Sequence, residues 1–256
     1  MHMDKIITPS THASYALQST AYLAKNEETG EESTIQNNTP LEVVGFPARI
    51  HEPAPIDLNL KHDFNFLVVS QWGPRKNLNN TIEWFIEEFK NDDVGLLLKV
   101  NIKSDCIIDR GHTMKQLKHL LRNKEKHKCS INLIHGTMSD SELTGLYQHP
   151  KVKALVNISH GEGFGLPMFE AAHNALPVIA PPWSGQVDYL YAPKKDKKGK
   201  IRQRAHFAKV DYTLQPIQDE AGWDKVLIKE SMWCYPNKGS YKRTLRDVYK
   251  NHGVYK

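Results

Sequence analysis

From Phe64 onward the chain alternates short, wholly apolar runs with segments whose apolar residues recur every three or four positions. This rhythm restricts the fold more than any other feature of the 256 residues. FLVVS (66–70), VGLLLKV (94–100), INLIH (131–135), VKALVNI (152–158) and PVIA (177–180) read as buried strands. Residues 79–90 place Ile82, Phe85, Ile86 and Phe89 on one helical face, and residues 113–123 do the same with Met114, Leu117, Leu120 and Leu121. Ser139 and Glu142 have capping-box spacing ahead of a short helix carrying Leu143, Leu146 and Tyr147, and a further helix is predicted after Pro167. Strands that are apolar throughout are buried on both faces. The expected fold class is therefore α/β, a Rossmann-like parallel sheet with helices on both faces. Ligands of such sheets bind beyond the carboxyl ends of the strands. That rule gathers Ser70–Lys76, His135–Met138 and His160–Leu166 around one crevice.

The flanks follow different patterns. Over residues 4–24 a short strand (Ile6, Ile7) runs into a helix beginning near Ser10 or Thr11. NEETGEESTIQNNTP (26–40) is polar and turn-rich, and reads as an exposed loop or insertion. LEVVGF (41–46) is a strand, and Pro-containing residues 47–60 form a linker, so that 51–63 separates this flank from a domain of residues 64–190. Residues 191–256 lose the rhythm: KKDKKGK (194–200) reads as a solvated turn and 240–251 as a basic closing helix.

Composition narrows the function classes. No apolar run approaches the ~20 residues that span a bilayer, and MHMDKIITPS lacks the apolar core of a signal peptide. Cys106, Cys129 and Cys234 are odd in number and widely spaced, which argues against a disulfide framework or zinc site and for a reducing cytoplasm. With no Asp-x-Asp and no His/Cys cluster, no metal site is expected. A net charge of +5 suits an anionic ligand and leaves contact with a membrane surface open. The first strand ends in SQWGPRK, without the G-x-G-x-x-G of a dinucleotide oxidoreductase. The lysine run reads as a solvated face, so no nucleic-acid partner is expected.

Chemistry concentrates in HGEGFGLPMFE (160–170). Gly161, Gly163 and Gly165 surround Glu162 and Phe164 between an apolar strand and a helix start at Leu166 and Pro167. Such a junction offers bare backbone N–H groups and a positive dipole end, which suit a phosphate. Arg75 and Lys76, just before another helix, suit a diphosphate through charge-assisted hydrogen bonds. Glu162 and Glu170 can accept hydrogen bonds from vicinal diols of a ribose or a hexose. His160 reads equally well as a donor to a ligand oxygen and as a loop histidine satisfied within the protein.

HGEGFGLPMFEAAHNALPVIA resembles the signature of the GT-B glycosyltransferases of family four, which are retaining and use nucleotide sugars. The family pattern is matched by Ser159 at the strand end, Glu162–Pro167, a second glutamate after seven intervening residues (Glu170, the EX7E pattern) and the strand Pro177–Ile179. FLVVSQWGPRKN resembles the first strand of the family's C-terminal domain. There Lys76 matches a donor-binding lysine, while Ser70 and Gln71 replace the usual Gly-Arg. The resemblance implies that Gly136, Thr137 and Met138 lie beside the nucleobase and that Glu170 holds the ribose. It also implies that Glu162 holds a hydroxyl of the donor sugar, and that the amides of Gly163–Leu166 hold phosphate and sugar. Lys76, Arg75 and the helix start at Pro167 would then balance the charge of the leaving diphosphate, with no metal or other cofactor. The resemblance is clear over 64–190 and weaker over 4–50, where DKIITPSTHASYAL resembles the last strand and helix of the family's N-terminal domain; the tail after 191 has no counterpart. The expected function is hexosyl transfer, in the cytoplasm or peripheral to a membrane, to a glycan, lipid or protein acceptor. Because the acceptor site lies mostly in the other half, the alternatives are a fragment, a chain completed by a partner, and a donor-binding module without turnover.

Overall fold

A computed structural model describes every residue except 1, 2, 123, 125, 223–226, 228 and 256. In the N-terminal flank, β1 (Ile6–Thr8) leads into α1 (Thr11–Ser19), which Ser10 caps by accepting from the Ala13 amide. The helix stops at Ser19, short of the expected end. The next segment is a hairpin of β2 (Ala21–Lys25) and β3 (Glu32–Gln36), where a loop was expected over 26–40. Nearly every residue of the hairpin is exposed, so no period-two burial pattern marks it in the sequence. Asn26 shapes its turn by accepting from the amides of Glu28 and Thr29. β4 (Leu41–Val43) then pairs in parallel with β1.

The centre follows the expected alternation: β5 (Asn65–Gln71), α2 (Leu78–Phe89), β6 (Gly95–Asn101), α3 (Ile107–Leu121), β7 (Ser130–Ile134), α4 (Asp140–Tyr147), β8 (Val152–Val156), α5 (Leu166–His173), β9 (Val178–Ala180) and α6 (Val187–Leu190). α3 starts earlier than the expected 113 because Cys106 caps it; its expected final residue, 123, lies outside the described residues. The capping box of Ser139 and Glu142 is formed. A hairpin of β10 (Tyr191–Lys195) and β11 (Ile201–Ala205) follows, and then β12 (Ala208–Lys209). β12 adds a sixth strand to the five expected, giving a parallel sheet of order β12-β9-β8-β5-β6-β7. Two residues carry too little pattern to mark such a strand.

Each sheet face has its own core. Phe66, Val68, Leu96 and Leu98 point toward α2, where Ile82, Phe85 and Phe89 are buried. Leu67, Leu97 and Leu155 point the other way, toward Leu146 and Met168. Residues 47–60 hold no helix or strand but pack along this second layer, and the Ala54 amide donates to Ser141 O. A Cβ on Gly145 of α4 would lie 2.1 Å from Ala54 O. Gly145→Ala is therefore expected to displace this segment and cost about 1–3 kcal/mol, read as a lowered thermal midpoint. An unchanged midpoint would contradict the close approach.

The tail is more structured than expected. β13 (Tyr212–Pro216) and β14 (Met232–Pro236) form a hairpin, followed by α7 (Lys238–Lys250) and α8 (His252–Tyr255). α7 is the expected closing helix. It packs on α2 through buried Tyr241, whose hydroxyl donates to Thr81 O, and through Arg246, which bonds Glu88 and Asp92 over the Phe89 ring. Among the described residues no helix is long and apolar enough to cross a membrane.

Candidate functional site

The glycine loop is held by its carbonyls and leaves its amides open. Gly165 adopts φ +87° as the N-cap of α5, a left-handed conformation that glycine takes without steric cost. Tyr189 Oη donates to the carbonyls of Phe164 (3.0 Å) and Gly165 (2.8 Å), and Ser10 Oγ donates to Gly163 O at 2.6 Å. Phe164 anchors the loop among the rings of Phe46, Phe169 and Tyr189, with centroids 5.1, 5.2 and 5.0 Å away. The Glu162 amide donates to Ser184 Oγ, and Gly185 N donates to Glu162 O. Among the described residues the N–H groups of Gly163, Phe164, Gly165 and Leu166 donate to no acceptor. Four successive open amides at a helix start form an anion cradle.

Beside the cradle lies an ionic cluster. A 3-10 turn at Pro74–Lys76, closed by Asn77 in the left-handed region (φ 54°), turns both cations toward the glycine loop. Asn77 Nδ2 donates to Ile158 O, fastening this turn to the segment that follows β8. Lys76 Nζ donates to Glu162 Oε1 at 2.5 Å, and Arg75 Nη1 donates to Glu162 Oε2 at 3.1 Å and also to Gly161 O. Ser159 Oγ and Asn157 Nδ2 add bonds to Glu162 Oε1. Burial alone would raise the Glu162 pKa, but the two cations outweigh it and hold the carboxyl below its ordinary value. Burial pulls the Lys76 ammonium downward against the attraction of Glu162. Of the pair, the carboxylate with two cations is the group firmly held in its charged form. One carboxylate set against two cations leaves a net positive charge beside the open amides.

Glu170 stands about one turn into α5. It accepts from Tyr147 Oη at 2.8 Å, and burial raises its pKa while that bond opposes the rise. It borders a cavity of about 310 Å³ with Arg49, His51, Leu166 and Phe169. Tyr147→Phe removes the opposing bond. The Glu170 titration, followed by carboxyl NMR, is therefore expected to move to higher pH, and a downward move would contradict this account.

The remaining expected residues fall in different places. Gln71 is exposed at the end of β5. Gly136 takes φ +115° with its carbonyl on Lys99 Nζ, Thr137 donates to Asp105, and Met138 packs into the second core layer. This loop follows the edge strand β7, two positions from β5 and so about 10 Å across the sheet. Among the described residues no hydrogen bond or ion pair joins it to the other two loops. Two of the three expected loops thus touch and the third flanks them. His160 is 1% exposed, and its ring stacks on Trp233 while Nδ1 donates to Cys234 O at 2.6 Å. Burial lowers its pKa against the opposing pull of the bond to Cys234 O.

Sequence reasoning missed several supports. Asp109 gathers the amides of Ile102, Lys103 and Ser104 together with His135 Nε2, fixing the ends of β6 and β7. Tyr147, Tyr189, Asn77 and Ser184 act through contacts distant in sequence, which no local pattern signals. Asn77 alone left a trace, since asparagine tolerates the left-handed region that closes a turn.

No protein-family model matches the chain. Over 118 residues, 45% of this chain, it is 33% identical to the serotype-specific mannosyltransferase WbdA of Escherichia coli, of which it covers 13%. The sucrose-phosphate synthase of Thermosynechococcus elongatus superposes on 98% of the chain with a TM-score of 0.59 at 12% identity, and the chain covers 50% of it. The trehalose-6-phosphate synthase OtsA superposes on 73% with a TM-score of 0.51 at 10% identity, with 47% of that chain covered. The chain thus spans about half of these structures and a small part of the mannosyltransferase. Its fold is the Rossmann-like α/β fold of GT-B glycosyltransferases, as the glycine-loop resemblance implies. The superposition extends through the tail, for which the sequence offered no counterpart.

Proposed function

We propose that this chain is the donor-binding half of a glycosyltransferase that moves a hexose from a nucleoside-diphosphate sugar, with retention, to a glycan, lipid or protein acceptor. The observation that carries the reading is the run of open amides at Gly163–Leu166 beside Lys76 and Arg75. A donor diphosphate would lie on the cradle and draw on both cations. Relieved of part of their charge, Lys76 and Arg75 would leave Glu162 an oxygen for a hydroxyl of the sugar. Glu170, oriented by Tyr147, would hold the ribose, and the loop at Gly136–Met138, with Gln71 nearby, would border the base.

Bond breaking places negative charge on the leaving diphosphate. Fixed cations and a helix end already in position stabilise that charge without reorganising, so the reaction as proposed needs no metal. The chain's partners are the donor and its acceptor, and its setting the cytoplasm or a membrane surface. Binding without turnover is the second reading, and a turnover assay separates the two.

A thermal-shift screen over nucleoside diphosphates and their sugars tests the proposal. A matching ligand at about 100 times its Kd stabilises the folded state by about 2.7 kcal/mol. One nucleotide series is expected to raise the midpoint; no shift with any of them would overturn the proposal.

A further inference from the structure

The hairpin of β10 and β11 carries a concentration of unneutralised charge. Register pairs Lys194 directly with Arg202 and Ala192 with Arg204, so Lys194, Arg202 and Arg204 share one face. Like charges directly opposite one another destabilise a strand pair. The hairpin's own carboxylate, Asp196, serves only Arg202 (3.4 Å) and the amides of the turn. Among the described residues, Lys194, Lys195, Lys197, Lys198 and Arg204 have no carboxylate partner. These cations line a cleft of about 1010 Å³ whose floor includes Pro177 and Ala208, at the amino ends of β9 and β12. The donor crevice lies at the opposite, carboxyl ends of the sheet.

An external anion would relieve this repulsion, and the neighbouring side chains indicate its kind. Val254 on the cleft wall is 84% exposed, and Ile201, paired with Lys195 on the other face of the hairpin, is 62% exposed, so an aliphatic side chain stands in water beside cations on each side of the hairpin. Bases of a nucleic acid would need exposed aromatic faces. Phe207 in the cleft is instead buried, and Tyr255 is partly buried with its hydroxyl bonded to Asp247. Lysines flanked by exposed aliphatics match an anionic bilayer, whose headgroups take the cations while the apolar side chains enter the interface.

We infer that the β10–β11 hairpin and its cleft dock the protein on anionic phospholipid, at the end of the sheet away from the donor crevice. The test is flotation with vesicles of phosphatidylglycerol and phosphatidylcholine, and with phosphatidylcholine alone. The parent chain is expected to float with the anionic vesicles only, and less so as salt rises. A chain with Lys194→Ala, Lys195→Ala, Lys197→Ala and Lys198→Ala is expected to bind at least about a hundredfold more weakly. Ile201→Ser with Val254→Ser is expected to weaken binding severalfold at a salt concentration where the parent still floats. Thermal midpoint and donor affinity, measured on the same preparations, are expected to be unchanged, which separates failure here from failure of the donor site. Equal flotation with both vesicle types or with neither, retention by the four-lysine variant, or displacement from the vesicles by a uridine homopolymer would each overturn the inference.

Discussion

Glu162→Ala is expected to lower the stability of the chain by about 3 kcal/mol, the lower end of the range for removing one partner of a buried ion pair. The side chain of Glu162 is 7% exposed and that of Lys76 is 17% exposed, so the ammonium left behind cannot solvate fully. Arg75, 45% exposed, can turn to water, which keeps the cost from rising further. For a chain of this size the thermal midpoint should fall by about 6–12 °C. Adding Lys76→Met is expected to recover part of the loss, because an apolar side chain does not carry the unpaired charge. The effect should also depend on pH. The Glu162 pKa is lowered in the folded state, so its contribution is complete above the ordinary glutamate value of about 4.3 and is lost as pH falls below it. Melts of the parent and Glu162→Gln should therefore converge in acid. A difference that widened in acid would contradict the ion-pair account.

Gly185→Ala is expected to damage both the fold and the site through a single added methyl group. Its Cβ would lie 2.1 Å from Gly163 O and 2.6 Å from Gly163 C, a backbone contact that no rotamer change relieves. The glycine loop would have to move, costing about 1–3 kcal/mol and disturbing the hydrogen bond from Gly185 N to Glu162 O. Loss of stability together with donor affinity is expected, by thermal melt and titration. A variant that melts and binds like the parent would show that the loop is not held by this contact.

The central sheet was legible because both its faces are covered. Each of β5, β6 and β8 carries an unbroken apolar run (Phe66–Val69, Leu96–Leu98 and Ala154–Val156), and α2 repeats Ile82, Phe85, Ile86 and Phe89 with helical period. The glycine loop was legible because its backbone demands residues with special conformational freedom, as at Gly165. What escaped detection depends on distant contacts or on very short elements. β2 and β3 are exposed on both faces, and β12 is a two-residue strand defined by its neighbour β9. Within the site the residue types were readable but their pairing was not. Nothing in the spacing of Arg75, Lys76 and Glu162 foretells that both cations close on one carboxylate, and Tyr147 meets Glu170 only because α4 packs beside α5.

Calorimetric titration of the nucleotide sugar that gives the largest thermal shift, into the parent, Lys76→Ala and Glu170→Ala, tests the donor site most directly. Each substitution removes one charged hydrogen-bond partner and is expected to weaken binding by about 1–3 kcal/mol, roughly 5- to 150-fold. Unchanged affinity in both variants would contradict the assignment of this crevice to the donor.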